Sequence, residues 1–160
     1  MPKAMTVLHN PSKELRVVSE PVAVDRVDSA DIKALIEDLK VTMKKENGIG
    51  IAAPQVGVHQ RVIIVDMHGK YTAFINPEIT ETSFKLVDSE EGCLSVPGQW
   101  GIVKRHRGVT VKALDAKGQA VSMKVHGLIA IIFQHEIDHL NGVLFIDKAE
   151  ELNQVGTSRI

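Results

Sequence analysis

The sequence predicts an α+β fold, with mostly antiparallel β-sheets packed around a central helix that carries His135-Glu136-Ile137-Asp138-His139, and another helix toward the N-terminus. Three observations point there. β-branched runs come in neighbouring pairs with turn residues between them, as hairpins do. Two stretches place apolar residues at helical spacing. The strand runs are grouped rather than alternating one for one with helices, which disfavours a doubly wound parallel sheet.

In chain order, Ile32, Leu35, Ile36, Leu39 and Met43 recur on one helical face after Asp28-Ser29, either of which can cap the start. A helix over about 30–46 follows, ended by Asn47-Gly48. The next segment, Gly48-Ile49-Gly50-Ile51-Ala52-Ala53-Pro54-Gln55, is too rich in small residues and proline for a helix and reads as a loop approached closely by backbone or ligand. Val62–Val65 and Tyr71–Ile75 read as strands, the second ended by Asn76-Pro77. Val109, Val111 and Ala113 alternate with polar residues, as do Val121, Met123 and Val125, and Asp115 to Gly118 supplies the turn of a second hairpin. From Gly127 to Asn141 the pattern is apolar nearly all round before turning polar at Gln134, and Gly142 offers a C-terminal cap. Such a helix is buried and central.

The 160 residues fit one domain spanning 1–160, and 44% hydrophobic with 24% charged residues is the balance of an ordinary folded protein. The net charge of −1 and the lack of any concentrated Lys/Arg stripe argue against nucleic acid as a partner. The longest apolar run, Leu128 to Phe133, is too short to span a bilayer, and the polar N-terminus has no signal-peptide core, so no membrane partner and a cytoplasmic location are expected. The single cysteine, Cys93, cannot join an intrachain disulfide and is buried, reactive or metal-bound.

In a helix, residues four apart lie about 40° apart around the axis, so His135 and His139 face one metal ion. Glu136 lies about 100° from the first and about 60° from the second, placed to reach a water there without being a ligand. A catalytic site of this kind needs a third protein ligand and an open position. Cys93, in Glu90-Glu91-Gly92-Cys93-Leu94-Ser95, is the leading candidate, in a segment that its flanking acids would keep near solvent. Glu150 and Glu151 stay open as alternatives, because spacing alone does not choose. His9, His59, His68, His106 and His126 stand alone among polar or loop residues and read as surface groups.

Three segments in this order, Gly48 to Gln55, Glu91-Gly92-Cys93-Leu94-Ser95 and Gln134 to His139, resemble the signature motifs of the peptide deformylases, and the similarity runs to about Asp147. The resemblance implies that Cys93 is the third ligand. It implies hydrolysis of the N-formyl group of nascent peptides beginning with formyl-methionine, releasing formate, in a bacterial-type cytoplasm. The Gln55 side-chain amide and the Leu94 backbone N–H would receive the oxyanion, and Glu136 would act as general base and then acid. Gly48, Gly50 and Gly92 would border the peptide, while Ile51, Leu128, Ile131 and Ile132 would wall a methionine pocket.

The resemblance also implies one divalent ion per chain, Fe(II) as the usual one, with zinc, nickel or cobalt as substitutes. A monomer or weak dimer is expected. Arg105 and Asp138 are candidates for an ion pair that orients the histidine helix. Trp100 departs from the family, standing where many bacterial members carry an arginine that helps hold the peptide. The stretch from Asp147 to Ile160, with Gly156 disfavouring a helix, does not match the longer basic C-terminal helix tied to ribosome docking, which leaves docking by that route open. The rival readings are a metallopeptidase and a formyl-peptide-binding module that has lost turnover.

Overall fold

The computed structural model describes residues 1–153; the expectation about Gly156 lies outside them. The first helix, α1 (Ala30–Lys45), is capped by Ser29, whose hydroxyl accepts from the Ile32 N–H at 3.3 Å. Asp31 in its first turn and Lys44 and Lys45 in its last complement the helix dipole. The segment read as a loop is regular in part: β1 (Gly50–Ala52) is an edge strand, followed by a short 3-10 turn over Ala53–Val56. Small residues suit a strand that must lie close to a helix.

The strands β2 (Val62–Met67), β3 (Lys70–Thr82), β6 (Gly108–Leu114) and β7 (Ala120–His126) complete a five-stranded antiparallel sheet in the order β1-β2-β3-β6-β7. The unbroken apolar run Val62-Ile63-Ile64-Val65 follows from burial on both faces, because side chains alternate across a strand. Val62 and Ile64 pack against Ile32, Leu35, Leu39 and Met43 of α1. Ile63 and Val65 meet Ile132, Phe133, Ile137 and Leu140 of the second helix, α2 (Gly127–Leu140). Phe74 and Phe133 meet edge-on, with ring centroids 4.9 Å apart.

Strand β3 does not stop at Asn76-Pro77. Asn76 takes φ of +52° and the ladder slips register between Ile75 and Glu78, which accommodates the proline's missing N–H. The Asn76 amide bonds both the N–H and the carbonyl of Val22, tying the N-terminal segment to the bend.

A second sheet, β4-β5-β8, holds β4 (Leu86–Cys93), β5 (Val96–His106) and β8 (Leu152–Asn153). The β4–β5 hairpin is absent from the sequence expectations, and Trp100 sits on it, in register with Asn153. Helix α2 follows β7 directly and lies between the two sheets. At its C-terminus Gly142 takes φ of +74°. The Leu140 carbonyl there accepts from the Ser19 N–H at 2.8 Å and from Arg61 Nη1 at 3.1 Å. Among the described residues, no helix is long and apolar enough to cross a membrane.

Candidate metal centre and active site

Cys93 ends β4, and His135 and His139 stand one turn apart on α2. Their ligand atoms all lie within 4.8 Å of one another, and all three residues are buried. Cys93 Sγ is 3.2 Å from His139 Nε2. The His135 ring gives the clearest test of whether a metal fits. Its Nδ1 lies 2.8 Å from Glu91 Oε1, so it carries the proton that the carboxylate accepts. The lone pair is then on Nε2, which is buried and without a hydrogen-bond partner. An orphaned, correctly tautomerised nitrogen beside a sulfur and a second imidazole is what a metal site requires.

The electrostatics agree. Burial, reinforced by His135, pushes His139 well below the ordinary histidine range, leaving a neutral imidazole. Burial, with the Glu136 carboxylate next, pushes the Cys93 thiol up, so a thiolate there needs a cation beside it. Glu150 and Glu151 are exposed and lie outside the cluster. The five other histidines are outside it too; His59 pairs with Glu14 at 2.6 Å, and His106 Nδ1 bonds the Ser83 carbonyl.

Glu91 corrects the expectation that the acids around Cys93 keep that segment near solvent. Glu90 is exposed, but Glu91 is 1% exposed and so is Cys93. Residues two apart on a strand share a face. A register shift between Glu91 and Cys93, at the buried Gly92, adjusts their aim. Glu91 accepts both Arg105 Nε and Nη2 at 2.8 Å, while Arg105 Nη1 reaches Asp138 Oδ2 at 2.7 Å. The Arg105–Asp138 pair is therefore present, with an Arg105 that is buried and also grips the acid orienting His135. Burial pushes the Glu91 carboxyl up, but the hydrogen bonds from Arg105 and His135 overcome it and hold it at about 2.

Glu136 is fully buried and neither of its carboxyl oxygens has a partner. Burial, and then the charge of Glu91, raises its pKa well above the ordinary range. Its carboxyl lies against Gly50: a Cβ on that glycine would come within 2.6 Å of Oε2 and 2.8 Å of Ile132 Cγ2. Gln55, on the 3-10 turn, accepts the Ala52 N–H through Oε1 at 2.9 Å, which turns Nε2 toward Cys93 Sγ at 3.7 Å. Leu94 follows Cys93, with its Cδ1 about 3.0 Å from where a Gly48 Cβ would stand. Gln134, unassigned from sequence, bonds both the N–H and the carbonyl of His106 at 2.9 Å, stitching α2 to the end of β5.

Leu128 and Ile132 line a cleft of about 430 Å³ together with Ile49, Ile129 and Met67. Two residues expected in the pocket wall are not among that lining. Ile51 is fully buried in the α1 cluster, because strand alternation turns it away from the face that Gly50 and Ala52 present to α2. Ile131 is half-buried on the helix stripe of Leu128 and His135 but outside the cleft. A second cleft, about 470 Å³, lies among Glu81, Arg107 and Lys124; neither cleft is lined by a residue of the triad.

A family model described as polypeptide deformylase matches residues 4–155. Peptide deformylase 1 of Pseudomonas syringae pv. tomato is 43% identical over 153 residues, covering 94% of this chain and 89% of its own. The solved class I type b peptide deformylase of Acinetobacter baumannii superposes with a TM-score of 0.89 at 41% identity, covering 91% of this chain and 99% of that one. A structure of the same A. baumannii protein bound to Met-Ala-Ser matches at 0.88 and 37%, covering 92% and 99%.

Proposed function

The chain belongs to the polypeptide deformylase family, and we propose that it removes the formyl group from peptides that begin with formyl-methionine, using Cys93, His135 and His139 to hold a divalent ion. The observation that carries this reading is the pairing of unpartnered atoms in one buried place: His135 Nε2 and both Glu136 carboxyl oxygens. Buried polar atoms without partners are rare in folded proteins, and these belong to residues of the metal-ligand motif.

Cys93, His135 and His139 would supply the ion's protein ligands. When bound, the ion supplies Lewis-acid chemistry, polarising the formyl oxygen and acidifying a water. Glu136 accepts the proton of the attacking water at one carboxyl oxygen and delivers it to the departing nitrogen, so formate and a free α-amine result. Gln55 Nε2 and the Leu94 N–H receive the oxyanion. Gly48, Gly50 and Gly92 leave room for the peptide backbone beside these groups, and Leu128 and Ile132 contact the methionine side chain.

Iron is the ion we assign. One thiolate and two imidazoles accept several first-row ions, so this choice rests on the family. A cytoplasmic location follows from the substrate, since nascent formylated chains emerge there in bacteria.

The test supplies iron-loaded, anaerobic protein with a formyl-Met peptide and with the same peptide unformylated. Formate released from the first and no cleavage of the second is the expected result. Cleavage of internal peptide bonds would support a metallopeptidase, and metal bound without formate would support a silent binding module; either sinks the proposal.

A further inference from the structure

Two contacts hold the Gln55 amide in place. The Ala52 N–H donates to Oε1 at 2.9 Å, and a donor there fixes which end of the amide is oxygen. The other end, Nε2, donates to Ser95 Oγ at 3.1 Å. An amide nitrogen carries two hydrogens. With one taken by Ser95, the second is directed at Cys93 Sγ, 3.7 Å away, which puts it on the side of the reacting centre.

Ser95 is itself rigidly placed. It is fully buried, its N–H lies 3.4 Å from Cys93 Sγ, and its carbonyl accepts the Asn10 N–H at 2.8 Å. The hydroxyl is thus set by the same short turn that carries the sulfur. A glutamine χ3 is a soft, broad torsion, and one hydrogen bond at the oxygen leaves the amide plane free to rock. A second anchor at the nitrogen removes that freedom.

We propose that Ser95 is a positioning residue for the deformylation step: its hydroxyl holds one Nε2 hydrogen of Gln55 so that the other is aimed at the developing oxyanion. This rests on the reading of Gln55 as an oxyanion donor. Preorganised donors cost nothing to reorient during the reaction, which is where their effect arises. In this role Ser95 acts through Gln55, its hydroxyl accepting from Nε2, while only its backbone N–H meets the ligand sulfur.

The experiment compares wild type, Ser95→Ala, Gln55→Ala and the double variant, each metal-loaded, by kcat, KM and metal content. Ser95→Ala is expected to lower kcat roughly 10- to 100-fold, with KM within about twofold and one ion per chain retained. In the Gln55→Ala background the same change is expected to have no further effect. A Ser95→Ala kcat equal to wild type, or losses that multiply in the double variant, overturns the proposal. Gln55→Ala turning over like wild type would instead defeat the donor reading beneath it.

A measurement on unaltered protein covers the case in which Ser95→Ala does not fold. In the zinc-loaded form, 15N NMR of the Gln55 side chain should show one amide hydrogen protected from solvent exchange and its partner less so. Two equally fast-exchanging hydrogens overturn the proposal.

Discussion

Replacing Arg105 by methionine removes a guanidinium that is 2% exposed and makes three short hydrogen bonds. Asp138 keeps Lys148, 3.0 Å away, but Glu91 keeps only His135 Nδ1 in a fully buried place. Stranding one partner of a buried ion pair costs about 3–5 kcal/mol. For a chain of this size that is a melting temperature lower by about 6–20 °C. In the wild type the Glu91 carboxyl titrates at about 2, below its ordinary 4.5, so its stabilising contribution is present above pH 4.5 and lost as the pH falls toward 2. Without Arg105, burial dominates and the carboxyl shifts upward. The penalty should then be largest near neutral pH and shrink on acidification. Urea denaturation of wild type, Arg105→Met and Arg105→Met/Glu91→Gln across pH 4–8 reads this directly, with the double variant regaining part of the loss because no charge is left stranded. A loss below about 1 kcal/mol, or a penalty independent of pH, would refute the reasoning.

Gly50→Ala should cut kcat by about 100-fold or more while metal content stays at one per chain, because its Cβ would displace the Glu136 carboxyl; steady-state kinetics with metal analysis checks it. Arg61→Ala should lower stability by about 1–2 kcal/mol, since Arg61 bonds the Ser19 and Leu140 carbonyls and the Asn141 side chain at the α2 C-terminus; chemical denaturation measures it. The Arg16–Asp147 pair is over a third exposed on both sides, so a double-mutant cycle should give a coupling of only about 0.2–1 kcal/mol. Arg16 holds the Asp147 carboxyl below its ordinary range, so that coupling should be present above pH 4 and fade as the pH falls through the depressed value.

Both helices and the β6–β7 hairpin are legible in the sequence because α1 buries one face and leaves another wet, β6 and β7 carry apolar residues at alternate positions, and α2 is apolar nearly throughout. The β4–β5 hairpin is not, because its buried side includes the polar Ser89, Glu91 and Arg105, the last two facing inward to hold His135. A rule that sends acids to solvent fails where an arginine waits for them. The two histidines and Glu136 announce themselves through helical spacing. Cys93, Gln55 and Ser95 meet them only through tertiary structure, which no local period encodes, and the motif resemblance supplied the first two. Glu91 offered only its place two residues before Cys93 in the same segment.

The most direct test of the account is formate release by Glu136→Ala beside wild type at matched iron content, with a formyl-Met peptide. The account predicts one formate per free α-amine for the wild type, and for the variant a kcat lower by at least about 100-fold with one ion still bound per chain. Wild-type turnover by Glu136→Ala would contradict it.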